Sequence, residues 1–221
     1  MDDNLRLRNI GHKHQTDKVG VHQFDGKNFL DIYEMYFLNL RDKPITILEL
    51  GILNGASLKV WEEYFKNGNV VGLDIDPSKQ KYKTERTKIY TGSQDDCVTI
   101  TNINNDYPNG FDIIIDDASH LNELTIASFE LLFDKVKPGG YYIIEDTHCT
   151  YGNDTDPLFS EHSKSWPGMC LNKQTTNFSN NRKTFLDFIV PKITAMDHKK
   201  GNIYCVHFFS ETMVIKKTTY N

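Results

Sequence analysis

The sequence predicts an α/β fold: a Rossmann-like, seven-stranded, mostly parallel sheet with one antiparallel strand, helices on both faces and a single domain. Apolar runs alternate with helical patterns, which is typical of strands joined by crossover helices. The run Ile113-Ile114-Ile115 is apolar on both faces, as in a buried parallel sheet. The last two strand patterns, 203–209 and 212–216, are too close for a crossover and predict an antiparallel hairpin. A length of 221 residues suits one core.

Hydrophobic periodicity and turn residues place the individual elements. Residues 1–24 show no clear periodicity, and 148–181 form a long segment without a regular pattern. Pro138-Gly139-Gly140 predicts the end of the helix before it. In chain order the predicted elements are a helix over 25–40, a strand over 45–50, a helix over 57–65, strands over 69–74 and 88–90, a helix over 95–105, a strand ending at 117, a helix over 121–136, a strand ending at 146, a helix over 182–195 and the hairpin.

Two of the predicted strands end in paired acids with a histidine close behind. Asp116-Asp117 precede His120, and Glu145-Asp146 precede His148. Ligands of open α/β sheets collect outside the carboxyl ends of the strands, so these groups are expected to converge on one crevice. Four carboxylates and two imidazoles are suited to metal binding and acid/base chemistry. The alternative is that the acids cap helices or pair with lysines.

A second set of residues predicts a nucleotide-like cofactor. Glu49-Leu50-Gly51 and Gly55 form a strand-to-helix turn at which a ligand can approach the backbone. The spacing is not GxGxxG, which disfavours a nicotinamide dinucleotide. Asp74 ends the next strand, where an acid commonly accepts hydrogen bonds from ribose hydroxyls. The side chains of Gly92-Ser93-Gln94-Asp95 either pair with an adenine edge or, for Asp95, cap a helix.

Composition and charge exclude several classes of protein. A net charge of −5 and scattered basic residues disfavour a nucleic-acid-binding surface. We predict no membrane span, since no apolar stretch is long enough, and no signal peptide, since the first residues are polar. The 4 cysteines lack CxxC spacing and are interpreted as reduced thiols of a cytoplasmic protein.

The series Glu49-x-Gly51, Asp74, Gly92-Ser93-Gln94-Asp95, Asp116-Asp117 and Pro138-Gly139-Gly140 resembles the class I S-adenosylmethionine-dependent methyltransferases. The resemblance implies a methyltransferase domain over 45–221, with an N-terminal helical segment over 1–44 that covers the cofactor site and an acceptor-side loop over 148–181. The implied cofactor contacts are Glu49, Gly51, Gly55, Asp74, Ser93, Gln94, Asp95 and Asp116. Leu53 departs from the glycine that many methyltransferases have in this turn.

A narrower likeness concerns Asp117-Ala118-Ser119-His120 and Glu145-Asp146, which resemble the metal-dependent sugar O-methyltransferases of macrolide and rhamnosyl-antibiotic tailoring. Thr16-Asp17-Lys18 and Tyr33-Glu34-x-Tyr36-Phe37 are also similar to that group. The resemblance implies that Asp117, Glu145 and Asp146 bind Mg²⁺ and that His120 is the catalytic base, with His148 as second candidate. On a regular strand Glu145 and Asp146 face opposite ways, so both can bind one ion only if the strand ends or bends there.

The resulting prediction is a cytoplasmic, Mg²⁺- and S-adenosylmethionine-dependent O-methyltransferase. Its acceptor is a sugar hydroxyl, on a nucleotide sugar or a glycoside of a surface polysaccharide or natural product; a homo-oligomer is compatible with the sequence. Three alternatives stay open. They are methylation of a non-sugar small molecule such as a phosphorylated metabolite, an Fe(II)-dependent hydroxylase that uses His120, His148 and Asp117, and a binding module that retains the nucleotide pocket.

Overall fold

Seven strands form one sheet in the order β3-β2-β1-β4-β5-β7-β6. The computed structural model describes residues 6–20, 26–151 and 180–220. The strand bounds are β1 Thr46–Leu50, β2 Asn69–Asp74, β3 Thr87–Thr91, β4 Phe111–Asp116, β5 Val136–Ile144, β6 Ile203–Phe208 and β7 Met213–Lys217. The pairs among β1 to β5 are parallel, whereas β7 runs antiparallel to both β5 and β6. The predicted sheet with one reversed strand is confirmed.

Helices cover both faces of the sheet, as predicted. The helix bounds are α1 Leu7–His14, α2 Phe29–Phe37, α3 Ala56–Tyr64, α4 Cys97–Asp106, α5 Asn122–Leu132 and α6 Arg182–Asp197. One apolar core lies between the sheet and α1, α2 and α3, and contains the buried rings of Tyr33, Phe37 and Trp61. A second core lies between the sheet and α4, α5 and α6, and contains Phe129 and Phe185.

Helix α1 differs from the prediction, which left residues 1–24 without periodicity. Its eight residues bury Leu7, Ile10 and Gly11, a stripe too short to stand out in the sequence. Glu34 of α2 accepts a hydrogen bond from the Leu7 backbone N–H at 3.0 Å. Isolated helices of this length are marginal in water, so the contacts with α2 and α3 stabilise it.

Two further boundaries are corrected. The predicted helix 121–136 ends at Leu132 and is followed by a 3₁₀ turn, and Pro138-Gly139-Gly140 lies inside β5 rather than at a helix end. There the register against β4 shifts between Phe111 and Ile113, which marks a bulge that accommodates these residues. The alternative role of Asp95 as a helix cap is wrong, because the N-cap of α4 is Asp96, which accepts hydrogen bonds from the Val98 and Thr99 backbones.

Among the residues described, no helix combines the length and apolar character needed to cross a bilayer.

Candidate active site

Two cavities open at the carboxyl ends of the parallel strands. One, of about 230 Å³, is called here the cofactor cavity and is lined by Gly51, Leu73, Asp74, Ile75, Gly92, Ser93, Gln94, Ala118, Ser119, Leu121 and Leu124. The other, of about 200 Å³, is called the acidic cavity and is lined by Asp17, Lys18, Phe29, Asp117, His120, Glu145, Asp146, His148 and Cys149. The two sets of predicted residues therefore meet at one edge of the sheet, as parallel topology requires.

Gly51 lines the cofactor cavity and packs against Asp117 of the acidic cavity. Its φ of +88° is in the region that favours glycine, and a Cβ there would lie 2.0 Å from the Asp117 carbonyl oxygen. A side chain at this position would thus displace the backbone of a predicted metal ligand. The backbone N–H of Asp117 also donates to the Leu50 carbonyl at 2.9 Å, which links β4 to the cofactor turn.

Asp74 lies at the cofactor cavity with both carboxylate oxygens oriented by backbone groups. Oδ2 accepts from the Ile52 N–H at 2.8 Å and Oδ1 from the Asp76 N–H at 2.9 Å. Each oxygen keeps a second lone pair, so the carboxylate can still accept hydrogen bonds from ligand hydroxyls. This position suits the predicted ribose contact.

The remaining predicted cofactor residues differ in their access to this cavity. Ser93 and Gln94 line it, whereas Asp95 is exposed and accepts a hydrogen bond from the Ser93 hydroxyl. Gly55 does not line it; this glycine precedes α3 with φ +74°, and a Cβ there would lie 2.6 Å from the ring of Tyr82. Its role is to let the chain turn into the helix against that ring.

Glu49 and Asp116 lie beneath the cavities rather than on their walls. Glu49 is 0% exposed and accepts hydrogen bonds from the Ser57 hydroxyl at 2.7 Å and the Trp61 indole N–H at 3.1 Å. Burial raises the pKa of the Glu49 carboxyl. Asp116 is 2% exposed, and burial raises its pKa to about 6 although Ser128 donates a hydrogen bond to it. Neither carboxylate reaches the cofactor cavity directly.

Three predicted metal ligands, Asp117, Glu145 and Asp146, line the acidic cavity together. Strand β5 ends at Ile144, and Asp146 has a left-handed backbone with φ +53°. The strand therefore ends before the two acids. Among the described residues, however, Glu145 belongs to neither group of ligand atoms that lie within 4.8 Å of one another, whereas Asp117 and Asp146 share one with His120. The cavity offers carboxylate oxygens, the ligand type that Mg²⁺ prefers, so the donor set fits this ion.

Lys18 is a site residue to which the sequence analysis assigned no role. Its ammonium group is buried and donates to Asp117, lies 2.8 Å from Glu145 Oε2 and lies 3.4 Å from Glu49 Oε1. Burial by itself lowers the pKa of this ammonium, but the three surrounding carboxylates raise it well above its ordinary value. Lys18 is therefore a charged amine that bridges the ends of β1, β4 and β5.

Tyr33 of α2 completes the environment of Glu145. Its hydroxyl donates to Glu145 Oε1 at 2.6 Å, and burial, followed by the neighbouring Glu145 charge, raises the pKa of the phenol well above its ordinary value. Both Tyr33 and Lys18 stand in the segments quoted above for their likeness to sugar methyltransferases. That likeness is the signal that could have assigned them to the site.

The two histidines lie on either side of Asp146. His120 Nε2 is 3.4 Å from Asp146 Oδ2 and 3.9 Å from Asp117 Oδ1, and His148 Nδ1 is 4.0 Å from Asp146 Oδ1. Two groups of ligand atoms lie within 4.8 Å of one another: Asp117, His120 and Asp146, and Asp146, His148 and Glu211. The carboxylate between the imidazoles is therefore Asp146, and not the Asp117 of the iron alternative.

Two predictions concern parts of the chain that are only partly described. Residues 152–179 of the predicted acceptor-side loop 148–181 lie outside the described residues. Of the N-terminal segment 1–44, Asp17, Lys18 and Phe29 line the acidic cavity.

Cys149, which also lines the acidic cavity, is disulfide-bonded, so the prediction of reduced thiols is wrong for this residue. Cys97 and Cys205 are free.

Comparison with known proteins gives relatives named as O-methyltransferases, although no family model matches the chain. A tetracenomycin rhamnosyl 3′-O-methyltransferase of Streptomyces olivaceus is 36% identical over 154 residues, 66% of this chain and 37% of the relative. Mycinamicin VI 2′′-O-methyltransferase of Micromonospora griseorubida is 33% identical over 162 residues, 68% of this chain and 39% of the relative. The matched part thus spans less than two fifths of the length of these relatives.

A solved structure agrees with these sequence relatives. The methyltransferase MycE, in complex with Mg, SAH and mycinamycin VI, superimposes with a TM-score of 0.74 at 27% identity. The match covers 96% of this chain and 54% of the MycE chain. The chain has the fold of the class I S-adenosylmethionine-dependent methyltransferases and is similar in sequence to sugar O-methyltransferases.

Proposed function

We propose that the chain transfers a methyl group from S-adenosylmethionine to a hydroxyl group of a sugar, with Mg²⁺ bound in the acidic cavity. The observation that carries this proposal is the close packing between the linings of the two cavities. Gly51 lines the cofactor cavity, and it lies so near Asp117, which lines the acidic cavity, that a Cβ at Gly51 would be 2.0 Å from the Asp117 carbonyl oxygen. A methyl donor in one cavity and an acceptor in the other would be adjacent, and alignment of the two reactants is a main source of catalysis.

The proposed cofactor contacts follow from which of the predicted residues line the cofactor cavity. We assign Asp74 to the ribose hydroxyls, and Gly51 and Ser93 to the wall against which the cofactor lies. Glu49, Gly55 and Asp116 support this wall from beneath, and Asp95 lies outside it. Relatives whose names state sugar O-methyl transfer, and a neighbour solved with SAH, support this cofactor.

The metal would be held by Asp117, Glu145 and Asp146. Lys18 donates to one oxygen each of Asp117 and Glu145, so the remaining lone pairs and the Asp117 Oδ1 atom stay available on the cavity side. A bound Mg²⁺ supplies Lewis acidity that lowers the pKa of a coordinated hydroxyl. The chain's own contribution is to orient these oxygens and to balance part of their charge with the Lys18 ammonium.

His120 is assigned as the base. Its imidazole borders the acidic cavity beside Asp117 and Asp146, within reach of a hydroxyl bound there. In the reaction the acceptor oxygen forms a bond to the methyl carbon while the carbon–sulfur bond breaks. The hydroxyl proton passes to the His120 imidazole, which acts as the general base.

The acceptor class rests on the names of the relatives. One name states a rhamnosyl tetracenomycin as the acceptor, and a second states an L-olivosyl-oleandolide. We therefore propose a glycoside or nucleotide sugar with neighbouring hydroxyls, from either a natural-product or a surface-polysaccharide pathway. Action in the cytoplasm and assembly into a homo-oligomer belong to the same proposal.

The iron alternative needs two histidines and one carboxylate on one ion. Among the described residues His120 groups with Asp117 and Asp146, whereas His148 groups with Asp146 and Glu211, so each group holds one histidine. The geometry therefore favours methyl transfer, and the experiment below also tests for turnover with iron and molecular oxygen.

The deciding experiment follows methyl transfer directly. The purified chain is incubated with methyl-labelled S-adenosylmethionine and a panel of glycosides with free neighbouring hydroxyls, first with chelator and then with added Mg²⁺ or Fe(II). Label in the sugar that depends on Mg²⁺ is expected. Full labelling in chelator would remove the metal role, and oxygen-dependent turnover with iron alone would establish the hydroxylase. Asp117→Asn is expected to weaken Mg²⁺ binding measured by calorimetry, whereas the exposed control Asp187→Asn leaves it unchanged.

A further inference from the structure

Gln94 makes contacts that its predicted role as a cofactor contact does not explain. The side chain is 5% exposed and lies between the loops that follow β3 and β4. Its Nε2 atom is 3.0 Å and 3.3 Å from the two oxygens of Asp116, and its Oε1 atom accepts a hydrogen bond from the Ser119 backbone N–H at 2.9 Å. The amide thus connects a buried carboxylate to the residue just before His120.

The carboxylate determines which way the amide points. An ionised carboxylate can only accept hydrogen bonds, so the NH₂ group of Gln94 has to face Asp116. The amide oxygen is then directed at the Ser119 N–H, which needs an acceptor. Asp116 itself is held in place by the hydroxyls of Ser128 and Tyr142.

The backbone at His120 requires such support. Its φ of +56° is uncommon for a residue other than glycine. The carbonyl of His120 accepts a hydrogen bond from Asn180 Nδ2 at 2.6 Å, on the side opposite to Ser119. Two buried amide side chains therefore hold the peptide group that carries the Ser119 N–H, one residue before His120, and the peptide group that carries the His120 carbonyl. This fixes the direction in which the imidazole leaves the backbone.

We propose that Gln94 is a positioning residue for the base: oriented by Asp116, it holds the Ser119 peptide so that the His120 imidazole points into the acidic cavity. This inference rests on the proposed function in its statement that His120 is the base. Gln94 also lines the cofactor cavity, so it joins the wall of one cavity to the base of the other.

The first test measures the hydrogen bond without any turnover. Gln94→Met has nearly the same length and lacks the acceptor, so the amide of Ser119 should exchange its hydrogen about 2- to 10-fold faster by NMR, the range that one ordinary hydrogen bond allows. Tyr142→Phe is the matched control, because it removes a 3.4 Å contact from the same carboxylate and leaves Gln94 in place. Its Ser119 exchange should stay at the wild-type rate.

The second test asks whether Gln94 acts through His120. Gln94→Met should lower kcat by roughly 10-fold at saturating substrates, while the affinity for the demethylated cofactor measured by calorimetry changes by less than about 3-fold. In a His120→Ala background the same substitution should lower kcat no further, since coupled residues are not additive. Gln94→Leu, which also lacks the acceptor, serves as second variant if Gln94→Met does not fold, and its Ser119 amide should exchange faster in the same way.

Three outcomes would overturn the inference. They are unchanged Ser119 exchange in Gln94→Met, a loss confined to cofactor affinity, and a full further loss of kcat in the His120→Ala background. A wild-type chain without methyl transfer would contradict the proposed function instead, and Ser119 exchange would then decide the structural part of the inference.

Discussion

At the residue scale, the chemistry of the acidic cavity depends on which oxygen of each carboxylate is already engaged. Glu145 has a donor on each oxygen, from Tyr33 and Lys18, and Asp117 has the Lys18 ammonium on Oδ2. The Asp117 Oδ1 atom and the Asp146 carboxylate face His120. The buried donors therefore set the orientation of the acids, and the cavity side is left for a cation and an acceptor.

His120→Ala is the direct test of the base. Turnover should fall by roughly 10²–10⁴-fold, the usual contribution of a general base, because among the described residues no other imidazole lies beside both Asp117 and Asp146. Affinity for the demethylated cofactor should hold, since His120 does not line the cofactor cavity. Steady-state kinetics and calorimetry provide the two readouts. Unchanged turnover would transfer the role to another residue, with His148 as the first to examine.

Lys18→Met should destabilise the fold severely. The substitution leaves Glu49, Asp117 and Glu145 without their shared cation, and breaking a buried ion pair typically costs about 3–5 kcal/mol. Urea unfolding measures the difference. Lys183→Met is the control, because Lys183 pairs with Asp187 on the surface with side chains 73% and 64% exposed. A Lys18 variant as stable as this control would show that the buried acids are neutral rather than paired.

At the element scale, α1 is attached to the rest of the molecule through polar groups as well as its short apolar stripe. Lys13 Nζ is 2.8 Å and His14 Nε2 is 2.7 Å from Glu63 of α3, and Arg8 pairs with Asp31 of α2. Since Lys18 follows this helix closely, these contacts help to place the ammonium in the site.

Glu63→Gln should lower stability near neutral pH and have less effect in acid. The hydrogen bond from Lys13, followed by that from His14, lowers the pKa of the Glu63 carboxyl. A carboxyl whose pKa is lowered in the folded state contributes stability at pH values above its ordinary pKa of about 4.3. This contribution is lost as the pH falls through the folded-state pKa. The pair is partly exposed, so the loss at pH 7 should be only about 0.2–1 kcal/mol.

Denaturant unfolding of both proteins from pH 7 downward measures this difference. Lys13→Met is the partner variant, and in its background Glu63→Gln should have a smaller effect because the main donor is gone. A difference that stays constant down to the acid limit of the native state would contradict the assignment.

The elements also show what the sequence can predict and where it stops. Strands such as β4, a run of buried isoleucines, were predicted because a doubly buried strand leaves a continuous apolar pattern. The short helix α1 was missed, and the Pro138-Gly139-Gly140 bulge was interpreted as a helix end. Both depend on partners far away in the chain, which local periodicity does not contain.

At the scale of the whole molecule, ligand binding should raise the free energy of unfolding. A ligand that binds only the folded state at 100 times its Kd adds about 2.7 kcal/mol. For a domain of this size each kcal/mol raises Tm by about 2–4 °C. Differential scanning fluorimetry with the demethylated cofactor should show this shift, and adenosine triphosphate serves as a nucleotide control. No shift at saturating ligand would contradict cofactor binding.

The packing of the whole molecule also explains why some residues of the site were predicted from the sequence and others were not. The acids Asp117, Glu145 and Asp146 were predicted to meet because parallel strands end at one edge of a sheet. Lys18 and Tyr33 lie in segments outside the sheet, so the strand pattern does not indicate that they contact the same site. Only their likeness to related sequences pointed to them, and the burial of Glu49 and Asp116 beneath the cavities became evident from the packing.

The contacts of Lys18 also have a consequence for the order of folding. Its bonds to Asp117 and Glu145 close chain segments of 99 and 127 residues. Contacts of such long range form late, because the entropy of closing the loop precedes any gain from the contact. During synthesis the ammonium has no carboxylate at β5 until that strand has been made and paired. The acidic cavity therefore cannot be completed before β5 has paired, and a chain that has assembled only its first strands has a cofactor turn but no place for the metal.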